Sequence, residues 1–365
     1  MELSRISDIA ARQAIDSMKV FKEYLRVSRE LDALGGSMFW KKVGHYEYLA
    51  HKVRGGTEYK GVRSSATEVE YETFFQKKER LKSRFKTLKN TVEVSQRLNK
   101  AVHAGTVPSE IIDVLTVLEQ IGLAQHSLVL GVPALYAYVQ SSGVSLQSVK
   151  NFGQKDNLLE SHPHHLHLLI ESSQARALEV VNAIKKALSR IALVEQTSLR
   201  AGYWLALKLQ FVHVKNPKGF KPKVKATKSS SVVPKAATVK ALKVSELASW
   251  MKTIIHTPKY EQVVVGKTGK MALMRTLDPQ VFLAWEECAP TPATINCSHP
   301  TGDAKPQVEV VEKMIGDSML ISKVDKASSE ALKREIQAWY ETIEGSAQSI
   351  HGNITSGHWL AAAPR

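Results

Sequence analysis

The chain is short of cysteine, of acidic residues and of long apolar runs, and each shortage closes off a class of protein. Its two cysteines, Cys288 and Cys297, stand nine residues apart with no C-x-x-C companion. Neither a disulfide framework nor a structural zinc site of the usual spacing follows, and both read as thiols of a reducing cytoplasm. No apolar run approaches the about 18 residues that a membrane span needs. The opening "MELSRISDIAARQAID" carries charges where a secretory leader has its apolar stretch, so a cytoplasmic protein is expected. The signatures G-x-x-x-x-G-K-[ST], G-x-G-x-x-G and G-x-S-x-G are missing as well.

What is there is basic. Fifty Lys and Arg stand against 35 Asp and Glu among 365 residues, a net charge of +15. That balance favours polyanions, nucleic acid foremost, through release of counterions from phosphates. With 43% hydrophobic residues the chain can bury a sizeable core and form two or three domains.

From Ser4 to Leu34 apolar residues recur at helical spacing, with Gly35-Gly36 as the stop. The aromatic and basic stretch "MFWKKVGHYEYLAHKVRGGTEYKGVRSSATE" reads as loop-rich, punctuated by its glycines. A long helix follows with Phe74, Leu81, Phe85, Leu88 and Val92 on one stripe, and Pro108 opens a shorter one. The character then changes. "HSLVLGVPALYAYVQSSGV" reads as strand, tight turn at Gly131 and helix. "HHLHLLIE" and "GYWLALKLQFVHV" alternate as strands, with a helix between them. Residues 215–243 hold nine lysines, three prolines and no acid, as an insertion or linker does. "YEQVVVGKTGKMALMRT" is a hairpin turning at Lys267–Lys270, "DPQVFLAWEECA" a helix, and two more helices follow near 307–322 and 327–345.

These residues, "VLGVPALYAYVQSSGV", "GYWLALKL", "YEQVVVGKTGK" and "DPQVFLAW" in that order, together with "FWKKV", "YEYLAHKV" and "KGVRSSATE" upstream, resemble a bacterial nucleotidyltransferase-like family of the DNA polymerase beta superfamily. The resemblance covers roughly residues 38–290. It implies an α+β fold: a helical N-terminal region over 1–122, a small mixed sheet of nucleotidyltransferase type over 123–290 with the Lys-rich insertion at 215–243, and a helical C-terminal portion with a tail over 291–365.

In active members of that superfamily the first strand ends in Gly followed by Ser or Thr, which holds the phosphates. The next strand carries Asp-x-Asp and a later one a third Asp. Residues i and i+2 of a strand share a face, so the carboxylates hold magnesium together. This sequence departs at each place. Val132 follows Gly131, the Asp-x-Asp strand is matched by His165-Leu166-His167, and the third position is Ala206. A second register puts Lys155-Asp156-Asn157 there and keeps no outer Asp either. Imidazoles do not replace carboxylates for magnesium.

The histidines of "SHPHHLHLLIE" have two readings. With His162 and His164 nearby, His165 and His167 share a face and suit a transition metal, if His213, His126 or Cys288 adds a ligand; otherwise they are half-exposed histidines at a strand start. Arg54, Lys60 and Arg63 with Tyr59 and Trp40, and Lys221, Lys223 and Lys225 in the insertion, are the candidate nucleic-acid contacts. The same aromatics also suit packing of the helical region. The leading expectation is a pseudoenzyme: a nucleotidyltransferase-like protein without its carboxylate triad, binding a nucleotide, DNA or RNA, or a protein partner, with no cofactor and no membrane. One alternative is an active enzyme using Asp156 and Glu160, with magnesium; another is a structural subunit paired with an active relative.

Overall fold

The computed structural model describes residues 2–53, 55–147, 165–171, 182–184, 186, 191–201, 204–213, 254, 256–288 and 306–349. In chain order the first elements are β1 (Glu2–Arg5), α1 (Asp8–Leu34), β2 (Ser37–Val43), β3 (Tyr46–Val53), β4 (Gly56–Val62), α2 (Ser65–Ala101) and α3 (Ser109–Gln120). Then come β5 (Ser127–Leu130), α4 (Leu135–Ser142), β6 (Val144–Gln147), β7 (His165–Glu171), β8 (Ile191–Ala201), β9 (Trp204–His213), β10 (Lys259–Val265) and β11 (Met271–Leu277). Three helices follow, α5 (Pro279–Cys288), α6 (Pro306–Gly316) and α7 (Lys326–Ser349). The architecture is α+β, with helices at both ends of small sheets. Two compact units divide it: Met1–Ser7, Thr106–Gly266 and Ala272–Arg365 form one, Asp8–Gly105 and Lys267–Met271 the other.

The first unit is built on a mixed six-stranded sheet in the order β10-β11-β5-β7-β9-β8. β5 runs parallel to β11 and antiparallel to β7, which is antiparallel to β9. Alternation decides what each face buries. Val129, Leu166, Leu168 and Ile170 pack with Ile111, Ile112, Leu115 and Leu118 of α3. Leu128 and Leu169, one residue out of phase, join Leu135 and Tyr138 of α4, Phe282 of α5 and Met314 of α6. Each such fully buried aliphatic side chain contributes roughly 1.5–3 kcal/mol. Hydrogen bonds then fix the order of the central elements: Thr276 donates its hydroxyl to the Val129 carbonyl (2.7 Å) and Tyr138 to that of Leu277 (2.8 Å). The ring of Tyr138 is fully buried, which pushes its phenol well above the ordinary tyrosine range.

Periodicity places one helix from Ser4, but residues 2–5 are a strand paired with β6, and the helix starts at Asp8. The hydrogen-bonding partner of β1 lies some 140 positions away, beyond any local signal. The strand Ile191–Ala201, which no alternation announces, forms the sheet edge beside β9.

In the second unit α1 and α2 pair, with Tyr24 stacked on Phe85 at 5.1 Å between ring centres. Glu23 accepts from Arg26 (2.7 Å) and Arg84 (2.5 Å), and the Arg26 bond is the main reason its carboxyl lies down at about 2. The segment expected to be loop-rich is a three-stranded antiparallel sheet in the order β2-β3-β4. Its glycines mark tight turns between strands rather than a long loop, since Gly44 and Gly56 take positive φ where a short turn needs it. α2 opens on a capping box: the Ser64 hydroxyl accepts from the Thr67 amide (3.4 Å) while the Thr67 hydroxyl accepts from the Ser64 amide (2.8 Å). Gly269 of the Lys267–Met271 turn lies against α2, where Asn99 donates to its carbonyl at 3.2 Å. A Cβ there would come within 2.0 Å of the Gln96 carbonyl oxygen, so only glycine fits.

Candidate functional site

β5 ends at Leu130, and Gly131 turns the chain with φ 71° and ψ −157°, a conformation that glycine alone enters freely. A short 3-10 turn, Val132–Ala134, leads into α4, closed by the Ala134 amide donating to the Gly131 carbonyl at 2.9 Å. The space where a Cβ of Gly131 would point is open to 4 Å. The turn is shaped for a close approach of a ligand to the backbone, yet two of its residues offer little to an anion. Val132 has no hydroxyl, and Pro133 has no amide hydrogen.

The neighbouring strands place the histidines beside this turn. In the ladder His167 pairs with Leu130 on one side and with Lys208 on the other. His165 pairs with Gln210, and Ala206 pairs with Leu169. Paired residues and those two apart fall on one face of a sheet. His165, His167 and Ala206 are therefore brought together on the face next to Gly131, with Ala206 diagonal to His167. Lys208, which sequence reasoning did not single out, stands on the same face directly across from His167. Only the ladder register could have found it, because a lysine in an alternating strand carries no signal of its own.

By residue type, the strand positions His165, His167 and Ala206 carry no carboxylate, the ligand that magnesium takes. Among the described residues no transition-metal set assembles around the pair either. His126 donates or accepts at Glu171 (3.1 Å), six residues along β7 from His165, which is roughly 20 Å of strand. Cys288 closes α5 with its thiol toward the Lys333 carbonyl, and His213 pairs with Ile191 on β8. No group of three or more His, Cys, Asp and Glu suited to a metal ion occurs among the described residues. His162, His164, Asp156 and Glu160 lie outside the described residues.

One carboxylate at the end of this sheet is buried, Asp278, and its oxygens are engaged by neighbouring donors. It caps α5 by accepting from the Gln280 amide (3.1 Å), and it also accepts from the Lys323 amide (2.8 Å) and the Ser322 hydroxyl.

Among the expected nucleic-acid contacts, Arg63 lies between Glu47 (2.7 Å) and Glu68 (2.8 Å), its guanidinium 5.0 Å above the Trp40 ring. Those carboxylates, Glu47 foremost, raise its pKa. Trp40 in turn packs on Tyr71 of α2. Lys60 pairs with Glu58 at 3.2 Å. Arg54, Lys221, Lys223 and Lys225 lie outside the described residues. No helix among the described residues is long and apolar enough to cross a membrane.

No curated protein and no solved structure matches the chain. Residues 109–286, from the start of α3 to α5, match the model of a nucleotidyltransferase family. That span contains the strand, the Gly131 turn and the histidine-bearing β7 just described, and so residues 109–286 form a nucleotidyltransferase-like domain.

Proposed function

We propose that this domain binds a phosphate-bearing nucleotide beside Gly131 without performing metal-dependent nucleotidyl transfer, a pseudoenzyme on a nucleotidyltransferase frame. The observation that carries the reading is the rung Leu130–His167–Lys208 at the end of β5. Active members of the superfamily that the sequence resembles hold a cation at such a strand through carboxylates, and the cation meets the triphosphate. Here the side-chain types are themselves cationic or neutral, so an anion can be met directly by an ammonium group and imidazole donors. The substitution of both outer strand positions by histidine and of the third by alanine removes the groups that would organise two metal ions.

The consequence is a binding site whose affinity does not depend on divalent metal. Equilibrium dialysis of the purified chain with labelled ATP is expected to show binding that survives EDTA and weakens at least fivefold in Lys208→Ala. Incubation with labelled nucleoside triphosphates and magnesium or manganese is expected to give no incorporation into the protein, RNA or DNA. Metal-dependent incorporation lost on substituting His167 or Asp156 would overturn the proposal and restore an enzyme with unusual ligands.

A further inference from the structure

We infer that the outward face of the β2–β3–β4 sheet is a stacking platform for single-stranded nucleic acid, a second binding surface separate from the one beside Gly131. The sheet sorts its residues sharply by face. One side packs on α2: Trp40 lies against Tyr71, His51 meets Phe74 edge-on at 5.3 Å, and Leu49 is buried beneath them. The register then assigns the other side. Phe39, Ala50 and Tyr59 form one rung, Lys41 and Tyr48 the next, and Ser37, Lys52 and Thr57 a third.

That outward face carries aromatic rings held at the surface. Phe39 is 36% exposed, Tyr59 51% and Tyr46 61%. Ala50, between Phe39 and Tyr59 in the ladder, has no exposed area. Tyr48 meets Tyr59 edge-on at 6.3 Å, and the Lys41 ammonium sits 2.5 Å from the Tyr59 hydroxyl and 5.2 Å from its ring centre. Tyr59 is thus braced by Tyr48 and Lys41, which lowers the entropy cost of stacking on it.

Charge selects the occupant. The acids of these strands, Glu47 and Glu58, fall on the rungs of Lys42 and His51, on the side of α2. Lys41 and Lys52 are the only charged residues among the outward rungs, and both are cations. A face of rings with cations and no carboxylate suits a polyanion that also presents flat apolar surfaces. Single-stranded nucleic acid has both, whereas a duplex keeps its base faces stacked and offers only phosphates. The ladder also revises which residues of this segment contact the ligand: Phe39, Lys41, Tyr48 and Tyr59 rather than Arg63 and Trp40, which are occupied on the inner side.

The test is fluorescence anisotropy of the full chain with fluorescein-labelled dT20 and U20, against a 20-base-pair duplex, at fixed salt. Expected is tighter binding of the single strands, weakened tenfold or more in the pair Phe39→Ala with Tyr59→Ala and retained within threefold in Tyr59→Phe. Lys86→Gln, which removes one exposed charge from α2, is expected to change affinity less than twofold. Equal affinity for the duplex, or no loss in the double variant when circular dichroism shows it folded, overturns the inference. So does a chain that is dimeric by light scattering and becomes monomeric in the double variant, since the face would then cover a second copy. Lys208→Ala leaves dT20 affinity unchanged if the two surfaces are separate, so failure of either proposal is visible without the other.

Discussion

Asp278 shows how much one buried carboxylate can organise. Its acceptors hold the first turn of α5 and, 44 and 45 positions on, Ser322 and Lys323. Replacing it with alanine takes the acceptor from the Gln280 and Lys323 amides and leaves the Ser322 hydroxyl with the Val324 carbonyl alone. Asp278→Ala is expected to lower the free energy of unfolding by about 2–4 kcal/mol, read from urea denaturation. Lys259 is the residue whose ionisation folding shifts most usefully. Burial, and then repulsion from Arg275, brings its amine down to about 8 from 10.5. The unfolded lysine stays protonated across that window while the folded one does not, so this group's contribution to stability rises as pH climbs from about 8 toward 10.5. Its acetylation is expected to rise with a midpoint near 8, below that of exposed lysines, when peptide mass spectrometry follows the reaction over pH. At this scale the histidines were legible, because i and i+2 spacing on a strand is local. Lys208 was not, because its place across from His167 depends on pairing between strands some 40 positions apart.

Among elements, the helices of the second unit were easier to read than its sheet. The apolar stripe of α2 follows from spacing, and the structure adds the cap at Ser64, whose side chain bonds the Thr67 amide. Ser64→Ala is expected to cost about 1 kcal/mol by removing the cap, measurable as a lowered thermal midpoint. The strands β2, β3 and β4 hid behind their glycines. Gly44, Gly55 and Gly56 lie within a few residues of each other's strands, and glycine density reads as loop until pairing partners are known. In the first unit much of the order from α3 to α5 was legible, since β5, α4, β7, β9, β10, β11 and α5 are each flanked by a recognisable turn or helix. The missed strand Ile191–Ala201 carries Glu195, Gln196, Thr197, Ser198 and Arg200 in its middle. A polar edge strand lacks the alternation that betrays a half-buried one.

For the whole molecule, a charge of +15 sets how binding responds to salt. Affinity for dT20 is expected to fall linearly on a log–log plot against salt concentration. Lys41→Gln is expected to reduce that slope by about 0.7, one phosphate contact on a single strand, while Glu119→Gln leaves it unaltered. Anisotropy titrations between low and moderate salt read both. The basic composition pointed to polyanions from the outset, but net charge has no address. Where the cations meet rings, and where they are already engaged by carboxylates, is decided by the faces of one small sheet and by the rungs of another.

The three-stranded sheet has two open borders, β2 and β4, each with backbone groups that a foreign strand could extend. Both borders carry the features that discourage such growth. β2 has Lys41 and Lys42 side by side, and β4 breaks its register where Lys60 has no partner between Tyr59 and Gly61. An added strand would meet adjacent positive charges on one border and a bulge on the other. A surface rich in exposed aromatic rings can thus remain open to a ligand without recruiting further copies of itself into a fibril.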